Sequence, residues 1–294
     1  MEAKLSYRSV FRPALFDGQT IIVTGGGSGI GRCTAHELVS LGARVAIVGR
    51  KLEKLESVQA EIALAGGYAS THVCDIRDEA AVRATVNAVI EMHGAIHGLV
   101  NNAGGQFPAP LRNITFNGWE AVVRNNLTGG FLFARECYTQ WMEQNGGAIV
   151  NIIADIWGGM PTMGHSGAAR AGMLSFTETA ACEWSHSGVR VNAVAPGYIA
   201  SSGFDTYSPE MQAELRAIPD KIPLQRFGTE SEISAAVVFL LSEAAGFITG
   251  SCIRVDGGVP NARPAWKLVP HDRSKAFNAF PLSVPPKCLS GADH

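Results

Sequence analysis

Eight residues, Thr24-Gly25-Gly26-Gly27-Ser28-Gly29-Ile30-Gly31, stand where the apolar run Ile21-Ile22-Val23 stops and a segment with helical apolar spacing begins. A strand that turns sharply into a helix aims the helix's first free N–H groups, and the positive end of its dipole, at whatever lies in the turn. Glycines at this spacing suit a pyrophosphate: Gly25 for the tight turn, Gly29 for the approach of the phosphates, and Gly31 for close packing of helix on strand. The same string also describes a flexible loop, so its chemistry depends on the elements around it.

Those elements have the order of a βαβ unit. Cys33, Leu38 and Leu41 fall on one helical face, Gly42 ends that helix, and Arg44-Val45-Ala46-Ile47-Val48 reads as a buried strand. At the end of such a strand an acidic residue accepts from the adenosine ribose hydroxyls, whereas a guanidinium holds a 2′-phosphate. Gly49-Arg50-Lys51 occupies that place, so Arg50 favours NADP(H). The competing reading is that Arg50 and Lys51 only open a solvated helix over residues 51–65. Farther on, strand-like runs at 69–74, 96–101, 148–152 and 189–194 alternate with helical stretches at about 79–93, 128–144 and 166–185. This alternation predicts an α/β fold: a single doubly wound parallel sheet, a Rossmann fold, with helices on both faces. Residues 198–227 break the rhythm with Gly203, Pro209, Pro219 and Pro223, and form a candidate substrate lid, the alternative being a plain surface insertion. A Pro-rich tail over 259–294 either stays disordered or drapes over a neighbouring subunit.

Composition narrows the partners. A 294-residue chain with 46% hydrophobic residues can bury one large core, and its net charge of −2 gives no electrostatic reason to expect nucleic acid. No run approaches the length of a membrane span, and the opening eight residues lack a signal peptide's apolar region, so a cytoplasmic protein is expected. Six scattered cysteines without a C-x-x-C pair indicate neither metal nor disulfides, and most should be small buried thiols. His36, His72, His93, His97 and His186 lack ligand spacing and are expected on the surface. Trp157 and Trp184 are expected in the core or an interface.

Six elements carry a family resemblance: Thr24-Gly25-x-x-x-Gly29-x-Gly31, Cys74-Asp75-Ile76, Asn101-Asn102-Ala103-Gly104, Asn126-Leu127-x-Gly129, Ile149-Val150-Asn151-Ile152 and Pro196-Gly197. In order and spacing they resemble the short-chain dehydrogenase/reductase family over about residues 17–258. The stretches Gly105-Gln106-Phe107, His165 to Gly172, Phe247-Ile248-Thr249-Gly250 and 7–19 are most similar to its peroxisomal trans-2-enoyl-CoA reductase and 2,4-dienoyl-CoA reductase branch. The resemblance implies a dinucleotide-binding reductase domain at 17–258 behind an N-terminal extension, 1–16. It implies cofactor contacts from Gly25, Ser28, Gly29, Ile30, Gly31, Arg50, Asp75, Asn102, Arg170, Pro196 and Gly197. It also implies a homotetramer pairing the long helices at 128–144 and 166–185, where Ala168, Ala169, Ala171 and Gly172 permit close contact.

The family's Asn, Ser, Tyr and Lys are only partly present. Asn126 matches the first. The serine position falls at Ile153-Ala154, with Asp155 the next polar group, and the Tyr-x-x-x-Lys element aligns with Ser166-Gly167-Ala168-Ala169-Arg170. Serine cannot pass a proton as a phenol does, and a guanidinium stays cationic without shuttling protons. Reduction of a C=C bond conjugated to a thioester tolerates that loss, because hydrogen-bond donors stabilise the enolate while water or a side chain supplies the α-proton. Asn126, Asp155, Ser166 and Arg170 are therefore the expected catalytic set, with Ser166, Asn126 and water as enolate donors and Asp155 or His165 as proton source. Ser166 reads equally as a helix N-cap, His165 as a packing residue, and Tyr198 as facing substrate or packing. The expected activity is NADPH-dependent reduction of an enoyl-CoA. Two alternatives stay open: dehydrogenation of an alcohol, aldehyde or 3-hydroxyacyl-CoA with an unusual acid, and a nucleotide-binding regulator without turnover.

Overall fold

The computed structural model describes residues 6–262 and 265–289. Its centre is a seven-stranded parallel sheet in the order β3-β2-β1-β4-β5-β6-β7, built from β1 (Thr20–Thr24), β2 (Arg44–Gly49), β3 (Ala69–Val73), β4 (Gly98–Asn101), β5 (Gly147–Ile152), β6 (Val189–Pro196) and β7 (Cys252–Val255). Both faces are covered, which is why the central strands read as unbroken apolar runs. Period-two alternation divides them: Ile21, Val23, Val45, Ile47, Val100 and Val150 point to one side, under α1 (Gly29–Ser40), α2 (Leu52–Leu64) and α9 (Glu230–Leu241). Ile22, Ala46, Val48, Leu99 and Ile149 point to the other, under α3 (Glu79–His93), α5 (Gly129–Cys137) and α7 (Gly164–Glu183). Between β1 and β4 the strand order reverses, and a crevice opens at the strands' carboxyl ends, where a nucleotide binds such sheets.

The helix expected over 128–144 starts earlier. Thr115 caps α4 (Phe116–Val123), its Oγ1 accepting from the Gly118 N–H at 3.1 Å, and the rod runs on through a π-helical turn, Arg124–Thr128, to α5. A second π-turn, Tyr138–Met142, leads to α6 (Glu143–Asn145). Asn117, Asn125 and Asn126 are poor helix formers, so local propensity hides this stretch, and packing of α4 on α7 overrides it. Buried amides then tie the layers: Asn101 Nδ2 donates to Asn151 Oδ1 and to Gly130 O at 2.9 Å each, and Asn151 Nδ2 donates to Thr177 Oγ1 at 2.9 Å.

The tail lies on its own chain. Thr229 Oγ1 donates to Phe277 O (2.8 Å), Ser231 Oγ accepts from the Ala279 and Phe280 N–H groups (3.3 and 3.2 Å), and Arg8 N–H reaches Ala279 O (3.1 Å). Phe280 is buried against Tyr7 and His36, with the Arg32 guanidinium 4.8 Å over its ring. The lid region carries α8 (Pro209–Leu215) between 3-10 turns, and Phe204 packs on Phe227 beneath it. Among the described residues no helix is long and apolar enough to cross a membrane.

Two sequence expectations are corrected. Three of the six thiols, Cys33, Cys74 and Cys137, are buried, whereas Cys182 is exposed and Cys252 and Cys288 are half-buried. His36 and His72 are buried rather than on the surface, the first against Glu61 (3.1 Å) and the second against Ser70 Oγ (2.9 Å). Single histidines carry no periodic signal, so burial here follows from the tertiary neighbours alone. Desolvation lowers the pKa of His72, with His93 adding to the effect, so the unfolded chain binds the proton first. The stability advantage of the wild type over His72→Gln should therefore shrink as pH falls from 7.5 to 5.5, by up to about 1.4 kcal/mol per pH unit below the unfolded value. Urea midpoints at the two pH values measure it, and a pH-independent difference would contradict the burial account.

Candidate active site

At the crevice, Gly25 (φ +67°) and Gly29 (φ +56°) adopt the left-handed conformation that disfavours side chains. A side chain at Gly31 would strike the Gly25 carbonyl and stand 2.5 Å from Asn102 Nδ2, so α1 meets β1 only through glycine. In front of Gly29 the space is open: an added Cβ would meet only Glu230 Oε1, at 3.8 Å. Ser28 is the N-cap of α1, but its side chain makes no capping bond and the first turn, which includes Ile30, holds no acidic residue. The free N–H groups and the open cradle fit a dinucleotide pyrophosphate. Asn102 stands behind the loop, Nδ2 donating to Thr24 O (2.9 Å), while Thr24 Oγ1 accepts from the Asn102 and Ala103 N–H groups (3.0 Å each). Its side chain thus holds β4 to the turn.

Toward the adenosine end, Arg50 is exposed just past β2, and Asp75 is held by the Arg77 guanidinium, Nε to Oδ1 2.9 Å, which lowers its carboxyl pKa to about 2. A cleft of about 420 Å³ beside the glycine loop is lined by Gly27, Ser28, Arg32, Lys54, Glu230 and, from the tail, Val284. Glu230 is 7% exposed, and burial raises its pKa to about 7 although Arg32 opposes the shift. Pro196 ends β6, and Gly197 follows where a Cβ would lie 2.7 Å from Asp256 Cα; its N–H donates to Val255 O (3.0 Å).

Asn126, Ser166 and Arg170 come together. The π-turn carries Asn126 to the end of the Gly104-Gly105 loop, where Oδ1 accepts from the Gly105 N–H (2.9 Å) and Nδ2 faces Ser166 Oγ (3.4 Å). Such widened turns recur at functional positions. Ser166 is fully buried and donates to Gln106 Oε1 at 2.5 Å. Because α7 begins at Gly164, Ser166 lies inside the helix and is not its cap. One helical turn on, Arg170 Nη1 donates to Ile152 O (2.6 Å), while its Nε is buried with no partner among the described residues. Burial lowers the Arg170 pKa to about 10, so it remains cationic at neutral pH. An orphaned buried donor at this place fits a ribose hydroxyl of the cofactor.

The remaining candidates make other contacts. His165 accepts the Ser166 N–H on Nδ1 (2.9 Å) and meets the Phe107 ring edge-on at 4.6 Å, a packing arrangement. Asp155 belongs to a group with Asp256, Arg254 and Tyr198, and no hydrogen bond among the described residues joins it to Asn126, Ser166 or Arg170. Burial first, and the Asp256 charge second, raise its pKa. Tyr198 is 41% exposed, and Trp157 lies under the Arg254 guanidinium, 5.3 Å from its ring centroid. Gln106 was not among the residues expected from sequence. Gln106 stood in a stretch that carried the resemblance, but its side-chain contact with Ser166, 60 residues away in sequence, comes only from the fold.

Comparison with known proteins identifies the family. The family model described as enoyl-(acyl carrier protein) reductase matches residues 25–260. The chain is 37% identical over 243 residues, 82% of its length and 96% of the relative's, to the "probable 2,4-dienoyl-CoA reductase [(2E)-enoyl-CoA-producing]" of Bacillus subtilis. It is 34% identical over 259 residues, 87% of its length and 86% of the relative's, to the peroxisomal 2,4-dienoyl-CoA reductase [(3E)-enoyl-CoA-producing] of Danio rerio. The solved structure of the citronellol catabolism dehydrogenase AtuB of Pseudomonas aeruginosa PAO1 is 59% identical and superposes with a TM-score of 0.79, covering 86% of this chain and all of that one. With the sheet order, the glycine turn and these matches in agreement, the chain belongs to the short-chain dehydrogenase/reductase family, and is an oxidoreductase of that type.

Proposed function

We propose that this oxidoreductase uses NADPH to reduce the C=C bond of an α,β-unsaturated acyl-CoA thioester. The observation that carries the reading is the buried Ser166 and cationic Arg170 where a proton-passing phenol and an ammonium would serve carbonyl chemistry. A nicotinamide held at this site would supply hydride for the β-carbon of the substrate. Negative charge then moves to the thioester oxygen, where neutral N–H and O–H donors of the Asn126, Ser166 and Gln106 group stabilise it, and water protonates the α-carbon. Arg170 would hold the nicotinamide ribose and adds a fixed positive charge at that place. The similarity to two dienoyl-CoA reductases supports an acyl-CoA substrate. A second reading, dehydrogenation of an alcohol, draws on the 59% identity to a citronellol catabolism dehydrogenase. It needs a base for the hydroxyl proton, and Tyr198, the phenol closest in sequence to Pro196-Gly197, belongs to the Asp155 group instead. For assembly we infer a homotetramer, supported by the exposed small residues Ala168 and Ala171 along α7 and by the partly exposed Phe131 on α5.

NADPH mixed with a panel of straight and branched enoyl-CoAs should lose its nicotinamide absorbance on protein addition. Failure with every thioester, together with NADP⁺ or NAD⁺ reduction by citronellol, would replace this reading with the second.

The 2′-phosphate assignment rests on Arg50. Replacing it by alanine removes one charge-assisted contact of about 1.5–3 kcal/mol, so the NADPH dissociation constant should rise about 10- to 100-fold while that for NADH stays put. An equal loss for both cofactors would show that Arg50 does not read the phosphate.

Glu230 beside the glycine loop should make cofactor affinity pH-dependent. Its raised pKa means the carboxyl is protonated below about 7 and anionic above, and the anion faces the pyrophosphate's own charge. NADPH should therefore bind more weakly as pH rises from 6 to 8, by up to about tenfold per unit, with the slope flattened in Glu230→Gln. A wild-type affinity that is level across this range would refute the placement of the pyrophosphate against Glu230.

A further inference from the structure

We propose that residues 277–289 form a strap across the mouth of the cofactor cleft, and that nicotinamide dinucleotides enter and leave only when one end of it lets go. The assignment rests on the pyrophosphate lying at the glycine turn and is independent of the substrate.

The segment is fastened before and after it reaches the cleft. First, Phe280 is 4% exposed and packs on Tyr7 and His36 with the Arg32 guanidinium over its ring, while Thr229 and Ser231 at the start of α9 bind the backbone of Phe277, Ala279 and Phe280. Arg32, held on Nε by Glu61 (2.8 Å), then donates from Nη1 to Leu282 O (3.2 Å), so α1 itself grips the chain two residues before Val284. Val284 borders the cleft of about 420 Å³, which Ser202 of the lid region borders as well. Beyond the cleft, the turn Lys287–Leu289 lies against the lid turn Ser202–Thr206. Asp205 Oδ1 accepts there from the Cys288 N–H (3.0 Å), and Arg216, which caps the end of α8, donates from Nε and Nη2 to Cys288 O (3.4 and 3.3 Å). One clasp therefore joins the tail to the lid at the cleft.

A chain anchored at both ends cannot swing aside as a free terminus does, so one anchor must open first. The two differ in strength. Phe280 is a buried aromatic group, whereas the Cys288 clasp lies near the surface, where hydrogen bonds to charged side chains are weakened by water. The clasp is thus the end that releases, and Phe280 the end that stays. This strap also lies beyond residue 260, where the family match ends, so it is an addition to the family's cofactor site.

The test is the kinetics of NADPH binding to the intact protein, followed by stopped-flow fluorescence of the nicotinamide, with release measured by displacement with excess NADP⁺. A gate alters entry and exit alike and leaves affinity in place, whereas a side chain that touches the cofactor alters the dissociation constant. Asp205→Ala should raise the association and dissociation rates by the same factor, roughly threefold to tenfold, with the dissociation constant unchanged. Asp205→Asn, which keeps the acceptor oxygen, should return both rates close to wild type. Arg216→Ala should act like Asp205→Ala, and the double variant should fall short of the product of the two factors because both side chains hold one residue. Phe280→Ala, at the other anchor and outside the lid, should give the same paired acceleration, and a larger one. Thermal melts report folding, and Ser231→Ala takes the place of Phe280→Ala if that variant does not fold. Unchanged rates in Asp205→Ala, or faster release with association unaltered, would overturn the strap. Acceleration from Asp205→Ala with none from the Phe280 anchor would confine the effect to the lid and overturn it as well. A wild type that binds neither NADPH nor NADH removes the cofactor placement and the strap with it. Paired acceleration in a protein that reduces no enoyl-CoA strikes the substrate reading and supports the strap.

Discussion

The open first turn of α1 is the constraint on which the rest of the molecule turns. Its N–H groups border an open cleft with neither a side-chain cap nor an acidic residue within the turn itself, an arrangement that leaves donors unfilled until an anion arrives. Holding a helix end in that state requires rigid surroundings. They are supplied by Thr24, whose hydroxyl takes two N–H groups from the start of the β4 loop, and by Asn102, whose amide ties that loop back to β1. The β1–β4 junction is where neighbouring strands lead away in opposite directions, so the crevice exists because of the topology, and the glycines keep it from being filled.

Around this turn the chain ends are fastened together. The tail crosses the start of α9, where Thr229, Ser231 and Glu232 bind its backbone, and Arg226 pairs with Glu232 at 2.6 Å. From the other side Ser9 donates to the buried Glu37 (2.7 Å), which also accepts from Ser234 on α9 (2.5 Å). Phe280 inserts between Tyr7, Cys33 and His36, so the N-terminal segment, α1, α9 and the tail share one small apolar cluster. Val284 then borders the cleft beside the glycine loop. Order in the tail and order in the cofactor cleft therefore depend on the same side chains.

In the proposed site, a hydroxyl and a guanidinium at the positions of the family's phenol and ammonium would change what the chemistry can be. Proton transfer to oxygen loses its agent, while hydrogen-bond donation and positive charge remain. The guanidinium is larger than an ammonium and brings more donors than its surroundings satisfy. Gly104 makes room for it, since a side chain there would collide with the Arg170 guanidinium and stand 2.9 Å from Asn126 Oδ1. One donor of Arg170 is taken by Ile152 O, and another is left buried and unpaired. Unmatched polarity in a cleft is costly in the empty protein and favourable once a hydroxylated ligand fills it.

Much of this was legible in the chain. Apolar strand runs and helix spacing gave the alternating elements, and glycine spacing located the sharp turn from β1 into α1, because such signals are local. Residue identity alone likewise put Ser166 and Arg170 where the family's Tyr-x-x-x-Lys element aligns. The tertiary structure decided what no local period encodes: that the helix through Asn126 begins at Phe116 and widens at a π-turn, that His36 and His72 are buried, and that Asp155 shares its surroundings with Asp256 and Arg254. It also brought Gln106 across 60 residues of sequence to Ser166. Such contacts depend on which loops the sheet order juxtaposes, and the sequence writes that only through the packing of the whole.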